Sequence, residues 1–595
     1  MKQSVLRNYY QRELQILRED GAAFAARYPK VAPHLGLDPG RNPDPMVERL
    51  LESLAYLTAR IRHESEAELP GLAGQILGLM CPSLAAPTPS MSVVSFSPDY
   101  SLLDKLNQGW LIPAGTRLYS DPEGEGPVIR WQTGWPLTLT PARVTVVSQS
   151  ALSLKEFGGR EGECAVFRLR FTGLSAGQRL RLFLKGDRFA TFPLHDWVHT
   201  ATRRLFLVDD VERPDRDFKT LSLPRDFLRP AGLDPDDLIL PGRDRTWVGF
   251  RLLQEYFACP ERFLFWDLGP WPDLKNLSDN GTVDLVLLLT EPPPEGLEVA
   301  AAMFDPAAVP VVNLFERPAE PIHLDHRRVM YPLHPDLRRG DSTEIHSVLS
   351  VTALASGERS FPVPHYFDRG RNSQEAGGLS WQLRLSPAPD ERGTVAAMSF
   401  QGGEMDEELT IAVRVLCTNR HWAARCGCAQ LSAEAEIPAV PALALPPSRQ
   451  RDPAVTGDER WRLVSNFALA QESLSGPKGI IVLKNILTQY APAGDAYSQR
   501  QIAGVLGLTN EIMFHPLRPS ADHPLGGLAR GLVIGLELDE DAFRGGSPFI
   551  FASVLEVFMG LRSAVNHVTR LRLFLDGHKG IYHQWPPRCG DRPLL

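Results

Sequence analysis

The chain has 595 residues, of which 43% are hydrophobic and 23% charged, and a formal net charge of -8. Its length suits roughly three or four domains of ordinary size, and its composition is that of a folded globular protein and not of a disordered one. The acidic excess argues against a general nucleic-acid binder, which needs basic surface to displace counterions from phosphate.

The N-terminus, Met1-Lys2-Gln3-Ser4-Val5-Leu6-Arg7, turns polar before a secretory signal core can form. Its first helix carries Tyr10, Leu14, Leu17, Gly21, Phe24 and Tyr28 in alternating steps of three and four, and ends at Tyr28-Pro29-Lys30, because proline disfavours a helical residue before it. A second helix is expected to open with Asp44 as N-cap and Pro45 in its first turn. Val47, Leu50, Leu54, Leu57 and Ile61 form its apolar seam, with Glu48, Glu52, Arg60 and Arg62 opposite. Two such helices bury little between themselves, so a third must come from this chain or from a partner. An internal hairpin and a bundle shared between subunits both fit. A third helical piece is expected after Pro70, through Leu72, Ile76, Leu79 and Met80, closing at Cys81-Pro82.

The proline-rich link Ala86-Pro87-Thr88-Pro89-Ser90 marks a boundary. Beyond it the period changes to two. Met91 to Phe96 reads as a strand, and Ile112-Pro113-Ala114-Gly115-Thr116 as a turn between strands. Ala165, Phe167, Leu169 and Phe171 alternate with Val166, Arg168 and Arg170, as on a half-buried strand. Leu180, Leu182 and Leu184 do the same before the turn Gly186-Asp187. Leu252 to Phe257 is a short helix closed by Cys259-Pro260, and Phe263, Phe265 and Trp266 open a strand. Leu285 to Leu289 is a buried strand by length, far short of the ~20 residues a membrane span needs. Asn280-Gly281-Thr282 reads as a turn. From Pro310 to about Ser386 short strands alternate with turns, and Ile411, Val413 and Val415 mark a further strand.

A second proline-rich stretch, Pro441 to Pro453, precedes a C-terminal part that begins near Trp461. There Ser547-Pro548 caps a helix with the seam Phe551, Val554, Phe558, Leu561 and Val565. This helix either makes a second contact with another subunit or packs only on the strand Leu571 to Leu575 behind it. The hexapeptide Arg179 to Leu184 recurs as Arg570 to Leu575; both a coincidence of amphipathic strands and two related β units fit. The expected class is α+β, with a helical segment 1–85, a β-rich domain 86–309, a second β-rich or mixed domain 310–450 and an α+β domain 451–595.

Reactive chemistry is sparse. The chain has no phosphate loop of the G-x-x-x-x-G-K-[ST] type and no H-E-x-x-H helix; His63-Glu64 lacks the second histidine, and Gly173-Leu174-Ser175-Ala176-Gly177, which fits G-x-S-x-G, lies between two strands and not at a strand-to-helix elbow. Cys417, His421, Cys426 and Cys428 are the best metal candidates, but Cys426-Gly427-Cys428 lacks the C-x-x-C spacing that grips zinc, so thiols without a metal are expected. The 7 cysteines, an odd number, read as reduced thiols and not as a disulfide framework. Asp234, Asp236 and Asp237 read as a solvated turn. No catalytic residue, cofactor or metal is expected, and the sum fits a structural protein of the cytoplasm.

The segment from Gly249 to Phe263, GFRLLQEYFACPERF, resembles the hallmark stretch of the TssF (VasA or ImpG) family, baseplate subunits of the bacterial type VI secretion system. Tyr9-Tyr10-Gln11-Arg12-Glu13-Leu14, the Asp44 to Glu52 helix start, Pro89-Ser90-Met91, Pro310 to Phe315, Cys417-Thr418-Asn419-Arg420 and Trp585 to Gly590 resemble further family landmarks, in family order. The resemblance implies a non-enzymatic wedge subunit, two TssF copies joined to one TssG, with contacts to TssE and TssK around a VgrG spike. It implies a cytoplasmic platform docked at the inner membrane complex, on which the Hcp tube and the sheath are built, without nucleic acid or membrane insertion. It also implies that the N-terminal helices enter a bundle with TssG. On this reading the interface residues are Tyr10, Leu14, Leu17, Phe24, Val47, Leu50, Leu54, Leu57 and Ile61, with Phe551, Val554, Phe558 and Leu561 at the other end. The competing class is a cytoplasmic hydrolase or carbohydrate-acting enzyme on a β-rich scaffold, which would turn over substrate alone.

Overall fold

The computed structural model of the protein describes residues 2–35, 45–80, 82–98, 109–120, 126–148, 157–209, 219–242, 248–274, 282–337, 340–355, 360–368, 378–388, 393–402, 409–427, 430–453, 457–469, 479–491, 494–517, 527–561 and 567–589. The chain divides into two compact units, one of residues 1–80 with 454–465 and one of 81–453 with 466–595.

The smaller unit is built on helices α1 (Lys2–Arg27) and α2 (Pro45–Met80). Asp44, the expected cap of α2, lies outside the described residues; Pro45 occupies its first position as expected. The expected break at Pro70 is absent, and α2 runs unbroken for 36 residues. Proline removes one ladder hydrogen bond and strains the turn before it, but does not by itself stop a helix whose two sides are long enough to continue. The contribution from the same chain comes from residues 454–465, where the Arg460 guanidinium lies across Gly74, 2.9 Å from where a Cβ would sit. Sequence reading put this stretch with the C-terminal part.

In the larger unit, β1 (Met91–Pro98) is followed by β2 (Arg117–Ser120) and β3 (Ile129–Thr133), with the expected turn at Gly115 (φ +84°). Then come β4 (Ala165–Thr172), β5 (Leu180–Leu184), helix α3 (Arg188–Ala201), β6 (Thr202–Val208), helix α4 (Val248–Ala258), β7 (Phe265–Leu268) and β8 (Thr282–Leu289). Strands β4, β6 and β8 share a five-stranded sheet, with β8 central. Here the expectation of a half-buried β4 needs correcting, because its second face is covered too. Val166 enters a small core with Phe157, Val208, Val286 and Leu288. Arg168 and Arg170 both pair with Asp284 of β8, at 3.0 and 2.9 Å, and Asp284 is fully buried. Two guanidiniums on one carboxylate supply the partners that a buried charge requires.

Strand β9 (Ala308–Val312) spans the boundary expected at 309/310. After it, β10 (Phe315–Pro318), β11 (Glu344–Leu354) and β12 (Leu409–Thr418) form one sheet of a lobe. A three-stranded sheet through Tyr331–Leu333 shares its core, where Leu333, Met398, Val351, Ile411 and Val415 meet. The chain then returns to its start. Strands β13 (Ser432–Ala433) and β14 (Ala439–Leu443) flank a six-stranded sheet of order β13-β2-β3-β9-β1-β14. Val94 stands opposite Leu443, so strands on both sides of the expected boundary share this sheet.

The rest of the chain carries α5 (Gly457–Leu469), α6 (Gly479–Tyr490), α7 (Ala496–Ala503), β15 (Val505–Leu517), β16 (Gly527–Leu538), α8 (Pro548–Gly560) and β17 (His567–Leu575). Ser547 caps α8 as expected, its Oγ accepting from Ile550 N at 2.7 Å. Strands β16 and β17 are parallel, joined through α8, and β15 is antiparallel on the outer side of β16. The repeated hexapeptides fall on β5 and β17, which sit in sheets of different order, β5 with antiparallel neighbours and β17 beside the parallel β16. Their likeness extends to inward leucines at alternate positions, which any half-buried strand needs.

Candidate assembly surfaces and structural joints

The face that α2 turns to α1 is not its apolar seam. Ala55 and Ala59 are fully buried, and the contact is flanked by ion pairs from Arg18 to Glu48 and from Arg62 to Glu13. Small residues let the two backbones approach, and the polar side of α2 is turned toward its neighbour. At about 100° per residue the seam therefore lies roughly a third of a turn away. Leu50 is 70% exposed, Leu54 47%, Leu57 55% and Ile61 62%. Phe24 is also exposed, while Tyr10, Leu14, Leu17 and Val47 are half-buried. The hairpin forms within the chain, yet the residues that sequence reading would have placed at its joint remain exposed. Four large aliphatic side chains in a row on one helix face are an apolar patch of the kind that marks a docking site.

Helix α8 behaves in the opposite way, and its assignment as a second contact element needs correcting. Phe551, Val554 and Phe558 are fully buried within the chain, Leu561 is half-buried at the C-cap, and Val565 lies outside the described residues. Every residue from Phe549 to Gly560 is buried. A helix that is apolar all round belongs in a core. Its one carboxylate, Glu556, receives Arg588 through two hydrogen bonds of 2.8 and 2.9 Å. The α8 seam packs on α4 as well as on β17. A Cβ at Gly249 would stand 3.0 Å from Phe558, so glycine permits this close approach, and the Phe250 and Tyr256 rings meet Phe558 and Phe551 at 5.2 and 5.6 Å.

The hallmark stretch Gly249 to Phe263 is thus a structural joint. Val248 to Phe257 is wholly buried, including three polar side chains. Gln254 donates to Thr88 Oγ1 at 2.7 Å, and Arg251 donates to the carbonyls of Leu240 and Gly242 at 3.2 and 2.9 Å. Glu255 accepts from the amides of Ile239 and Leu240 at 2.9 and 2.8 Å and pairs with the fully buried Arg262. Burial pushes the Glu255 carboxyl up, against the downward pull of Arg262 and the two amides. Tyr256 accepts from Gln501 of α7 at 3.0 Å. One helix therefore ties the stretch after residue 86, the loop before it and the C-terminal elements together.

Three other landmark stretches meet in a second joint. Asn313 and Asn419 exchange hydrogen bonds: Asn313 Nδ2 donates to Asn419 Oδ1 at 2.9 Å, and Asn419 N donates to Asn313 Oδ1 at 2.7 Å. Asn313 N also donates to the Ser90 carbonyl at 2.8 Å, and Arg130 N to Asn419 Oδ1 at 3.0 Å. All three landmark residues are buried. A network satisfied on this scale fixes how strands distant in sequence meet.

Neither joint has the form of a reaction centre. A cleft of about 600 Å³ opens beside α4, lined by Gln132, Thr133, Leu240, Arg251, Val312 and Leu349 among others, but Arg251 is spent on backbone carbonyls. Cys417 is fully buried, its thiol pushed up to about 12 by burial. Among the described residues no group of three or more His, Cys, Asp or Glu could hold a metal; Cys428 is outside them. Asp234 and Asp236 are exposed as expected, but Asp237 is not solvated. It is buried and takes Arg181 in a bidentate pair at 2.9 and 3.2 Å. His195 and His199 of α3 and His583 gather around Phe549, with His583 held at about 4 chiefly by burial. Among the described residues no helix is long and apolar enough to cross a membrane.

The smaller unit has an exposed apolar helix face and the larger is held together by interlocked sheets and buried polar joints, features shared by structural proteins. The sequence matches the family profile "Type VI secretion system, TssF" over residues 1–592, and is 31% identical to the type VI secretion system component TssF1 of Pseudomonas aeruginosa, over 99% of each chain. The chain belongs to the TssF family of the type VI secretion system. Its fold is shared with a chain of a type VI secretion TssK-TssF-TssG baseplate subcomplex, at TM-score 0.70 and 23% identity over 92% of this chain and 99% of that one. It is also shared with a chain of a type VI secretion baseplate complex, at TM-score 0.55 and 21% identity over 99% and 100%. The hydrolase reading has no support in this family or these folds.

Proposed function

We propose that this chain is a non-enzymatic wedge subunit of a cytoplasmic type VI secretion baseplate, and that the exposed seam of α2 joins it to a TssG-family partner. The observation that carries the reading is the exposure of Leu50, Leu54, Leu57 and Ile61 on a helix whose own hairpin contact uses Ala55 and Ala59. One relative of known structure is a chain of a TssK-TssF-TssG baseplate subcomplex and another a chain of a type VI secretion baseplate complex. In such an assembly this chain contacts TssG, TssK and a second copy of itself. TssE, the VgrG spike, the Hcp tube and the sheath complete the platform, which docks at the inner membrane complex. Leu54→Asp with Leu57→Asp tests the seam by placing charge where apolar surface must be buried. The double variant should fold and lose co-purification with the TssG-family partner; normal co-purification would sink the proposal.

A further inference from the structure

Strand β15 is the outer strand of its sheet, with β16 on one side and, among the described residues, no strand on the other. Natural edge strands carry lysines, prolines or bulges that discourage further pairing. Here those devices sit only at the ends: a register shift between Val505 and Gly507, and Pro516. The stretch between them, Gly507 to Phe514, contains one charge, Glu511, which leans back across its own sheet to Arg572 of β17 at 3.3 Å. Ile512 is 62% exposed and Phe514 67%. Among the described residues no strand pairs with this edge, and Leu508, Ile512 and Phe514 share one face with Asn510 between them.

We propose that this edge pairs antiparallel with the same edge of a second copy of the chain, with Asn510 on the two-fold axis. About Asn510 the stretch is self-complementary at its large aliphatic positions, Leu508 and Ile512. In this register Leu508 stands opposite Ile512, Thr509 opposite Glu511 and Gly507 opposite Met513. Each pair lies on one face, as directly opposite residues must. A register centred on Glu511 sets like charges against each other, and one centred on Thr509 sets Leu508 against Asn510. Registers centred between residues place the apolar row against the polar one. A contact of one strand pair is small, so it acts between copies that an assembly already brings together. The inference thus rests on the wedge reading above and supplies a surface for the second copy.

Asn510→Cys in the full-length chain, co-purified with its TssG-family partner and oxidised, should give a disulfide-linked homodimer above the background of the wild-type cysteines. Differently tagged Thr509→Cys and Glu511→Cys chains, at two exposed positions, should cross-link to each other more than to themselves. Phe514→Cys should not dimerise, because its counterpart lies roughly 26 Å along the ladder at ~3.3 Å per residue. No cross-link at 509–511 in folded protein overturns the pairing, as does equal cross-linking at Phe514→Cys or a cross-link to another protein. Retention of the TssG-family partner is scored on the same samples. Failure of the cross-link with the partner retained overturns the strand pairing alone. A specific cross-link with the partner absent upholds the pairing and breaks the wedge reading.

Discussion

Helices α2 and α8 have seams of the same period and the same kind of start, a proline in the first turn. One leaves its leucines in solvent and the other buries every side chain from Phe549 to Gly560. The difference lies in what surrounds the seam. On α2 the neighbouring positions include Glu48, Glu52, Arg60 and Arg62, and two of these are used on α1. On α8 most positions off the seam are apolar, among them Ile550, Ala552, Leu555 and Val557, and the polar Ser553 and Glu556 are buried with partners in Phe549 O and Arg588, so no polar face is left for water. A seam shows that a face will be buried; the residues off the seam decide whether the chain itself does the burying.

Four experiments would break or sharpen this contrast, ordered by the effect expected on stability. Deletion of residues 547–595 removes α8 and β17, the parallel partner of β16. The larger unit should then lose cooperative folding, read by protease sensitivity; a stable truncated chain would return α8 to the status of a separable contact element. Phe551→Ala leaves a cavity against Tyr256 and Phe543 and should cost about 3–5 kcal/mol in denaturant unfolding.

Acid should act next. Burial holds His346 and His583 at about 4 in the fold, whereas an unfolded histidine titrates near ~6.5. The unfolded chain therefore binds more protons in that interval, and stability should fall as pH drops from about 6.5 toward 4, by roughly 3 kcal/mol for each group. Buried carboxylates raised by burial, such as Glu255 and Glu344, act in the opposite direction, so the histidine share is read as the difference a histidine substitution makes. His583→Gln should flatten the fall in stability, measured as unfolding midpoint against pH. The smallest stability effect is expected on α2: Leu54→Asp with Leu57→Asp should shift the unfolding free energy by no more than about 0.5 kcal/mol, because both sites are exposed. A large shift would mean that the seam supports the chain's own fold.

Local chemistry was legible in the sequence. Ser547-Pro548, the stop at Tyr28-Pro29 and the turn at Gly115 act over a few residues, and the structure has each of them, whereas the half-buried alternation expected of β5 breaks at the fully buried Phe183. What the sequence did not show depends on distant partners. Arg168 and Arg170 look solvent-facing until Asp284 arrives, 114 positions after Arg170. Asp237 looks solvated until Arg181 reaches it from β5. Pro70 looks like a stop, because the residue before a proline is disfavoured in a helix, yet α2 runs through it. Periodicity located the seam of α2, which is exposed, but gave α8 the same reading, because period alone does not register the apolar residues between seam positions.

The six-stranded sheet has a consequence for how the protein is made. Its strand β1 lies between β9 and the edge strand β14, and Met91 N reaches Ser448 Oγ across 357 positions. At ~5–20 residues per second a ribosome needs about 20 to 70 s to supply the closing strand after β1 has emerged. Throughout that interval β1 has an unsatisfied edge, while α1 and α2, made earlier, already carry their leucine face. Nascent chains on neighbouring ribosomes therefore present sticky helices before their scaffolds are complete, and synthesis of the helical partner close by would cover those faces during the wait.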